Sequence, residues 1–163
     1  MPRAPKADFL AILRTLRRRG VDFIVIGGIG AVLHGAPIDT FDLDVVHSRD
    51  PANIGRLLAA LESLQARSRF RSGLRPDASH LTSAGHQLLM TRHGPLDLLG
   101  SAGHHHTYDD LLPYAVDTRL TSSLSVQVLR LDWLIRLKEE TGAEKDLAVL
   151  PILRRTLEEQ SRP

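Results

Sequence analysis

Apolar residues in this chain recur with two different periods, and the changes of period mark out the elements. In residues 8–19, DFLAILRTLRRR, Phe9, Ile12, Leu13 and Leu16 fall at helical spacing, with Asp8 placed as N-cap and Gly20 as the stop. VDFIVIGG reads as a short buried strand closed by glycines, and IGAVLHG as a short helix ended by Gly35. FDLDVVH alternates and turns β-branched towards its end, which predicts a second strand. Pro51 suits a helix first turn, and Ile54, Leu57, Leu58, Leu61 and Leu64 carry an amphipathic helix to about Ala66. RSRFRSGLRPDASHLTSAG has no period and predicts a loop. Beyond it, HQLLMTRHGPLDLLG predicts a hairpin turning at His-Gly-Pro, TYDDLLPYA a short helix and SVQVLRL a last short strand. From Asp132 the pattern is helical to the end, broken near Gly142 and resumed from about Glu144. Strands and helices mix without strict β-α-β alternation, which predicts an α+β fold: a mixed β-sheet flanked by helices, with a helical C-terminal segment over about 131–160.

Length and composition narrow this picture without changing it. A chain of 163 residues, 42% hydrophobic and 25% charged, has the proportions of one globular domain spanning 1–163. No apolar run approaches the roughly 20 residues of a membrane span, and MPRAPKADFL lacks a signal-peptide core. The absence of cysteine excludes disulfides and thiolate metal sites, and a cytoplasmic home is the expectation. A net charge of +2 excludes nucleic-acid binding driven by bulk charge. Only Lys6, Lys138 and Lys145 among the 21 cationic residues are lysines; the rest are arginines. They cluster at Arg17-Arg18-Arg19 and at Arg67, Arg69, Arg71 and Arg75, either as solvated surface or as guanidinium patches able to hold a polyanion.

The chemistry is carried by acids in apolar strands. Asp42 and Asp44 share one strand face, about 6.5–7 Å apart at Cα. Like charges that close either raise a pKa or demand a cation. Asp97 sits in PLDLL, a second apolar strand, where an acid is equally out of place. If the two strands pair, three carboxylates converge, and hard oxygen ligands of that kind suit Mg²⁺ together with substrate phosphates. Gly27 and Gly28, at the end of a strand and ahead of a helix, leave room for close backbone approach by a ligand. His34 caps a helix end on this reading, and Trp133 packs in the core. His47 follows the acidic strand, and His104-His105-His106 lies in a glycine-flanked loop ahead of Asp109 and Asp110.

GGIGAVLHG followed by TFDLDVV resembles the minimal nucleotidyltransferases of the DNA polymerase β superfamily, whose signature is a glycine pair and then a strand with Asp-x-Asp. Asp97 in GPLDLLG falls where that family carries its third carboxylate. LDWLIRLKEETGAEKDLAVL is similar to the C-terminal segment of the toxin-type branch, the AbiEii and MenT-like enzymes. The resemblance spans about Gly27 to Leu150 and implies a role for each matched residue. Asp42, Asp44 and Asp97 would bind Mg²⁺ or Mn²⁺, with Asp97 as the alternative general base. Lys138 would meet the nucleotide phosphates, and Gly27, Gly28, Thr40, Lys145 and Asp146 would shape the NTP site. The implied activity is NMP transfer from an NTP to an acceptor, an RNA such as a tRNA end, in a toxin–antitoxin setting with a cognate antitoxin protein. This chain has Ile38 and Ala143 where the family often has arginine, and Val149 where it often has aspartate. Those departures define the alternatives: a catalytically reduced member that binds nucleotide or a partner, or transfer to a protein hydroxyl.

Overall fold

The computed structural model of the protein describes residues 7–163; the reading of Met1–Lys6 as lacking a signal-peptide core lies outside the described residues. Helix α1 (Phe9–Arg18) starts at Asp8, whose side chain accepts from the Ala11 amide at 3.1 Å, and buries Ile12, Leu13 and Leu16. Strand β1 (Phe23–Ile26) is buried throughout and runs directly into α2 (Gly27–Leu33). After β2 (Leu43–His47) comes α3 (Pro51–Ser63), capped by Asp50 and opened by the predicted proline. The short β3 (Arg67–Ser68) and α4 (Ala78–Thr82) precede a hairpin of β4 (His86–Thr91) and β5 (Gly94–Leu99). Helix α5 (Tyr108–Leu111) and a 3₁₀ turn lead into β6 (Ala115–Thr121) and β7 (Leu124–Leu129). Helices α6 (Leu131–Thr141) and α7 (Glu144–Gln160) close the chain, separated by Gly142 in a left-handed conformation (φ 63°).

All seven strands form one mixed sheet in the order β3-β4-β5-β2-β1-β7-β6. β1 is antiparallel to β2 and parallel to β7, while β2 and β5 run parallel. Side chains alternate between faces. Leu43, Val45, Leu96 and Leu98 belong to the core under α1 and α3, whereas Val46 and Leu99 belong to the core under α6 and α7. No helix among the described residues is long and apolar enough to cross a membrane.

Three readings are corrected. The aperiodic stretch 67–85 contains β3 and α4, the latter held by a capping box in which Asp77 and His80 exchange hydrogen bonds. The hairpin turns at Arg92–His93, because Thr91 Oγ1 accepts from the His93 amide and donates to the Gly94 carbonyl; Gly94 and Pro95 are already strand. β6 is an additional strand, in which Val116, Thr118 and Leu120 alternate with Asp117 and Arg119; it is a partly exposed edge strand, held by its pairing with β7. Trp133 packs against the core under α6 and α7 as expected, half-buried and stacked on Tyr114 with ring centroids 4.4 Å apart.

Candidate active site

The centre of the sheet brings two of the three acids together. β2 and β5 pair with Asp44 opposite Asp97, and Asp44 also lies opposite Ile26, the last residue of β1. Both acids alternate with residues of the α1/α3 core, so their side chains project to the other face, the one covered by α2, α6 and α7. Asp42 precedes β2 by one residue, not within the strand as read from sequence, and is half-buried.

Burial pushes the Asp44 carboxyl up to about 8, and the hydrogen bond and charge of Asp97 and the charge of Asp42 push the same way. The Lys138 ammonium opposes them. Near neutral pH without a cation, Asp44 therefore keeps its proton for most of the time. Asp97 Oδ1 is buried without a well-directed hydrogen bond, although the Arg69 guanidinium Nη2 stands 2.7 Å away. Arg69 reaches there from beyond the sheet edge: it follows β3, its amide bonds to the Leu88 carbonyl, and its Nη1 donates to the Leu89 carbonyl.

The glycine pair has a structural cause. Gly27 has φ 65°, and a Cβ there would stand 2.1 Å from Asp44 Oδ2; at Gly28 a Cβ would meet Thr40 Oγ1 at 2.5 Å. The space expected for a ligand is thus filled by the side chains of Asp44 and Thr40, and the glycines let the backbone pass against the acid. Thr40 Oγ1 also donates to the Asp42 carbonyl at 3.4 Å.

Lys138 on α6 pairs with Asp146 on α7, Nζ to Oδ1 at 3.2 Å, and both are half-buried. Thr141 Oγ1 donates to the other Asp146 oxygen at 3.2 Å. Lys145 is exposed in the first turn of α7 and forms no ion pair among the described residues. Ile38 and Val149 pack against the core under α6 and α7. His47 lies at the far end of β2, opposite Phe23, and burial keeps its imidazole below its ordinary range. His34 ends α2 as expected, with Nε2 2.8 Å from the Leu129 carbonyl oxygen. Of the three consecutive histidines, His106 turns inward to Glu140 at 2.6 Å.

Among the described residues no three acidic or histidine side chains converge as a ready-made metal cage. The donor set nevertheless fits a hard cation. Asp44 and Asp97 are side by side, one with its pKa raised and the other with a buried oxygen that faces Arg69 without a well-directed hydrogen bond. Mg²⁺ is commonly bound through one or two carboxylates, with substrate phosphates and water completing the shell. Arg69 is the residue that sequence reasoning missed. It stood in an arginine-rich stretch read as a loop, and nothing in its spacing pointed to Asp97.

The chain has the nucleotidyltransferase fold. It aligns with the nucleotidyltransferase-type protein TM1012 from Thermotoga maritima, with a TM-score of 0.56, 17% identity and coverage of 93% of this chain and 91% of that one. ANT(2'')-Ia in complex with adenylyl-2''-tobramycin aligns with a TM-score of 0.60 and 13% identity over 91% and 87% of the two chains. The lincomycin-bound lincosamide adenylyltransferase LnuA aligns with a TM-score of 0.59 and 12% identity over 92% and 98%. No protein-family model matches the sequence, and no curated protein matches it.

Proposed function

We propose that the protein is a metal-dependent nucleotidyltransferase that moves NMP from an NTP to an RNA hydroxyl, in the manner of the toxin-like branch and with a cognate antitoxin as partner. The observation that carries the reading is the register of Asp44 against Asp97, with Gly27 left bare so that Asp44 fits. Asp44, with Asp42 beside it, would hold Mg²⁺ or Mn²⁺, and Asp97 would serve either as a third ligand or as the general base. Such an ion neutralises charge on triphosphate oxygens and aligns attacking and leaving groups. Asp97 takes the proton of the acceptor hydroxyl on a carboxylate oxygen. The acceptor oxygen then bonds to the α-phosphorus as the bond to the β-phosphate oxygen breaks, and pyrophosphate leaves. Lys138, steadied by Asp146, supplies positive charge to the phosphates. Gly27, Gly28 and Thr40 line the approach to Asp44, and Lys145 offers an exposed cation at the α7 start. Most of the catalysis is positioning and charge compensation.

The RNA acceptor rests on the resemblance of the C-terminal segment, and the Lys138–Asp146 pair supports it. Incubation with each labelled NTP, Mg²⁺ and total RNA tests the whole reading. Label enters RNA with wild type and not with Asp42→Ala. Label that resists RNase but yields to protease moves the acceptor to protein. No label from any NTP, with circular dichroism of a folded protein, rejects transfer.

A catalytically reduced member is the second reading, favoured by the packing of Ile38 and Val149 in the core where the family often has polar groups. Calorimetry separates the two. Mg-NTP binding that is lost in Asp44→Ala, without product in the transfer assay, selects it.

A further inference from the structure

The Arg17-Arg18-Arg19 cluster finds no use in the candidate active site. Helix α1 presents Arg14, Arg17 and Arg18 on the side opposite Ile12, Leu13 and Leu16, and a groove lies on each flank. One, of about 450 Å³, runs between α1 and the β4–β5 turn and is lined by Arg14, Arg18, Arg19 and Arg92. The other, of about 910 Å³, runs between α1 and the β6–β7 hairpin and is lined by Arg14, Arg17, Arg18 and Arg119 with one acid, Asp117. Arg14 and Arg18 line both.

These cations are uncommitted. Elsewhere Arg56, Arg69, Arg130, Arg136, Arg154 and Arg155 pair with carboxylates. Among the described residues Arg14, Arg17, Arg18 and Arg92 do not. Two of the neighbours are held in place: Arg19 donates to Ser63 Oγ at 2.7 Å, and Arg119 donates to the carbonyls of Thr121 and Ser122. Asp8 donates its amide to the His93 carbonyl, which ties the β4–β5 turn, and with it Arg92, to the start of α1.

The geometry points to a docking strip for the phosphate backbone of a nucleic-acid strand, crossing α1 from one groove to the other. Residues three and four apart on a helix are separated by about 5–6 Å. Guanidinium groups on that spacing form a row of bidentate phosphate donors. The strip contains more cations than a single free phosphate needs, spread over two grooves. Leu10, one turn before Arg14, is exposed on the same helix, but a lone aliphatic side chain does not make the clustered anchor that a protein partner requires at an interface centre. Membrane docking is disfavoured for the same reason, because the apolar face of α1 is spent on the core. With the His93 imidazole the one ring among the groove-lining residues, the strip reads phosphates far more than sequence. It lies on the opposite face of the sheet from Asp44 and Asp97, and the Arg92–His93 turn sits at the end of β5 from which Asp97 is three residues into the strand. A strand held along α1 can pass that turn towards the acids. Binding needs neither NTP nor transfer, so it stands or falls separately from the proposed activity.

Fluorescence anisotropy with the full chain tests it, using a labelled 20-nucleotide RNA, DNA of the same sequence, inorganic polyphosphate and poly-glutamate. Both nucleic acids are expected to bind at 50 mM salt without NTP. The slope of log affinity against log salt is expected to fall by about 2 in Arg17→Gln/Arg18→Gln/Arg92→Gln, at roughly 0.7 for each phosphate no longer neutralised, with affinity down roughly tenfold or more. Arg17→Lys/Arg18→Lys keeps most of the slope, and Asp44→Asn binds as wild type. Absence of nucleic-acid binding, equal binding of poly-glutamate, preference for polyphosphate over both nucleic acids, or an unchanged slope in the folded triple variant would overturn the proposal.

Discussion

The cations near the acids and the cations on α1 differ in one respect that governs what each can do. Lys138 and Arg69 are half-buried and already paired, with Asp146 at 3.2 Å and Asp97 at 2.7 Å. Arg17 and Arg18 are exposed and pair with no carboxylate among the described residues. Paired, half-buried charges stabilise one arrangement, because removing either partner strands the other away from water. Unpaired exposed charges add little to the fold and keep their capacity for an outside ligand. Composition alone gives both groups the same label. Only their placement separates a positioning cation from a recruiting one.

The sharpest break in that comparison is at Asp44, where activity and stability should move in opposite directions. Asp44→Asn removes a proposed metal ligand, and NMP transfer in the labelled-NTP assay should fall by roughly 10²–10³-fold, the order seen when one electrostatic stabiliser is lost. The same change removes a carboxylate that burial and Asp97 keep near a pKa of about 8. In EDTA at pH 9 the variant should melt higher than wild type, at roughly 2–4 °C per kcal/mol gained. A variant that is both inactive and less stable under those conditions contradicts the placement of Asp44 as an uncompensated acid.

Arg69→Ala should cost the fold roughly 2–4 kcal/mol, because Asp97 is left buried with its nearest cation gone. Arg69→Ala/Asp97→Asn should recover much of that loss in thermal melts. Gly27→Ala should cost about 1–3 kcal/mol, since φ is 65° and the new methyl would collide with Asp44 Oδ2. Pairing Gly27→Ala with Asp44→Gly removes the collision but not the backbone strain. Recovery in the double variant should therefore be partial, and full additivity would show that the two residues do not meet.

Legibility in the sequence followed the same division between local and long-range physics. The starts of α1 and α3 were readable because Asp8 and Pro51 act within a few residues of themselves. The Gly27-Gly28 pair and the three acids were readable as a set because their oddity is local, charges in apolar strands and glycines at a strand end. What could not be read was partnership across the sheet. Edge strand β6 alternates only weakly, Val116, Thr118 and Leu120 against Asp117 and Arg119, and its place in the sheet is set by β7. The glycines were expected to admit a ligand, whereas they admit Asp44 and Thr40, an approach that only the antiparallel pairing of β1 with β2 creates. Arg69 sits beside Arg67 and Arg71 in sequence but alone reaches Asp97, a matter of where β3 meets β4.

Metal-free stability should fall as pH rises through the upper part of the neutral range. Asp44 has its folded pKa raised from 3.8 to about 8, so its contribution is fully present below about pH 4 and is lost as pH rises through about 8. His47 is shifted downward by burial, so its contribution is present above its ordinary value of 6.5 and is lost as pH falls. The two oppose each other below neutrality, and the clean window is pH 7–9, where His47 is neutral folded or unfolded. There the melting temperature in EDTA should decline for wild type and stay flatter for Asp44→Asn. Added Mg²⁺ should offset the wild-type decline if the acids hold it.

The smallest effect should come from the free cations. Arg17→Gln/Arg18→Gln removes two exposed guanidinium groups that have no carboxylate partner among the described residues, so stability should change by no more than about 0.5 kcal/mol per site. Loss of mutual repulsion between these neighbours and Arg14 can even make the change favourable at low salt, and that gain should vanish in about 0.5 M salt, where charges beyond a few ångströms are screened. Chemical denaturation at both salt concentrations reads this directly. A loss comparable to that of Arg69→Ala would mean that α1 spends its arginines on the fold after all, and the division between paired and recruiting cations would fail where it is most exposed.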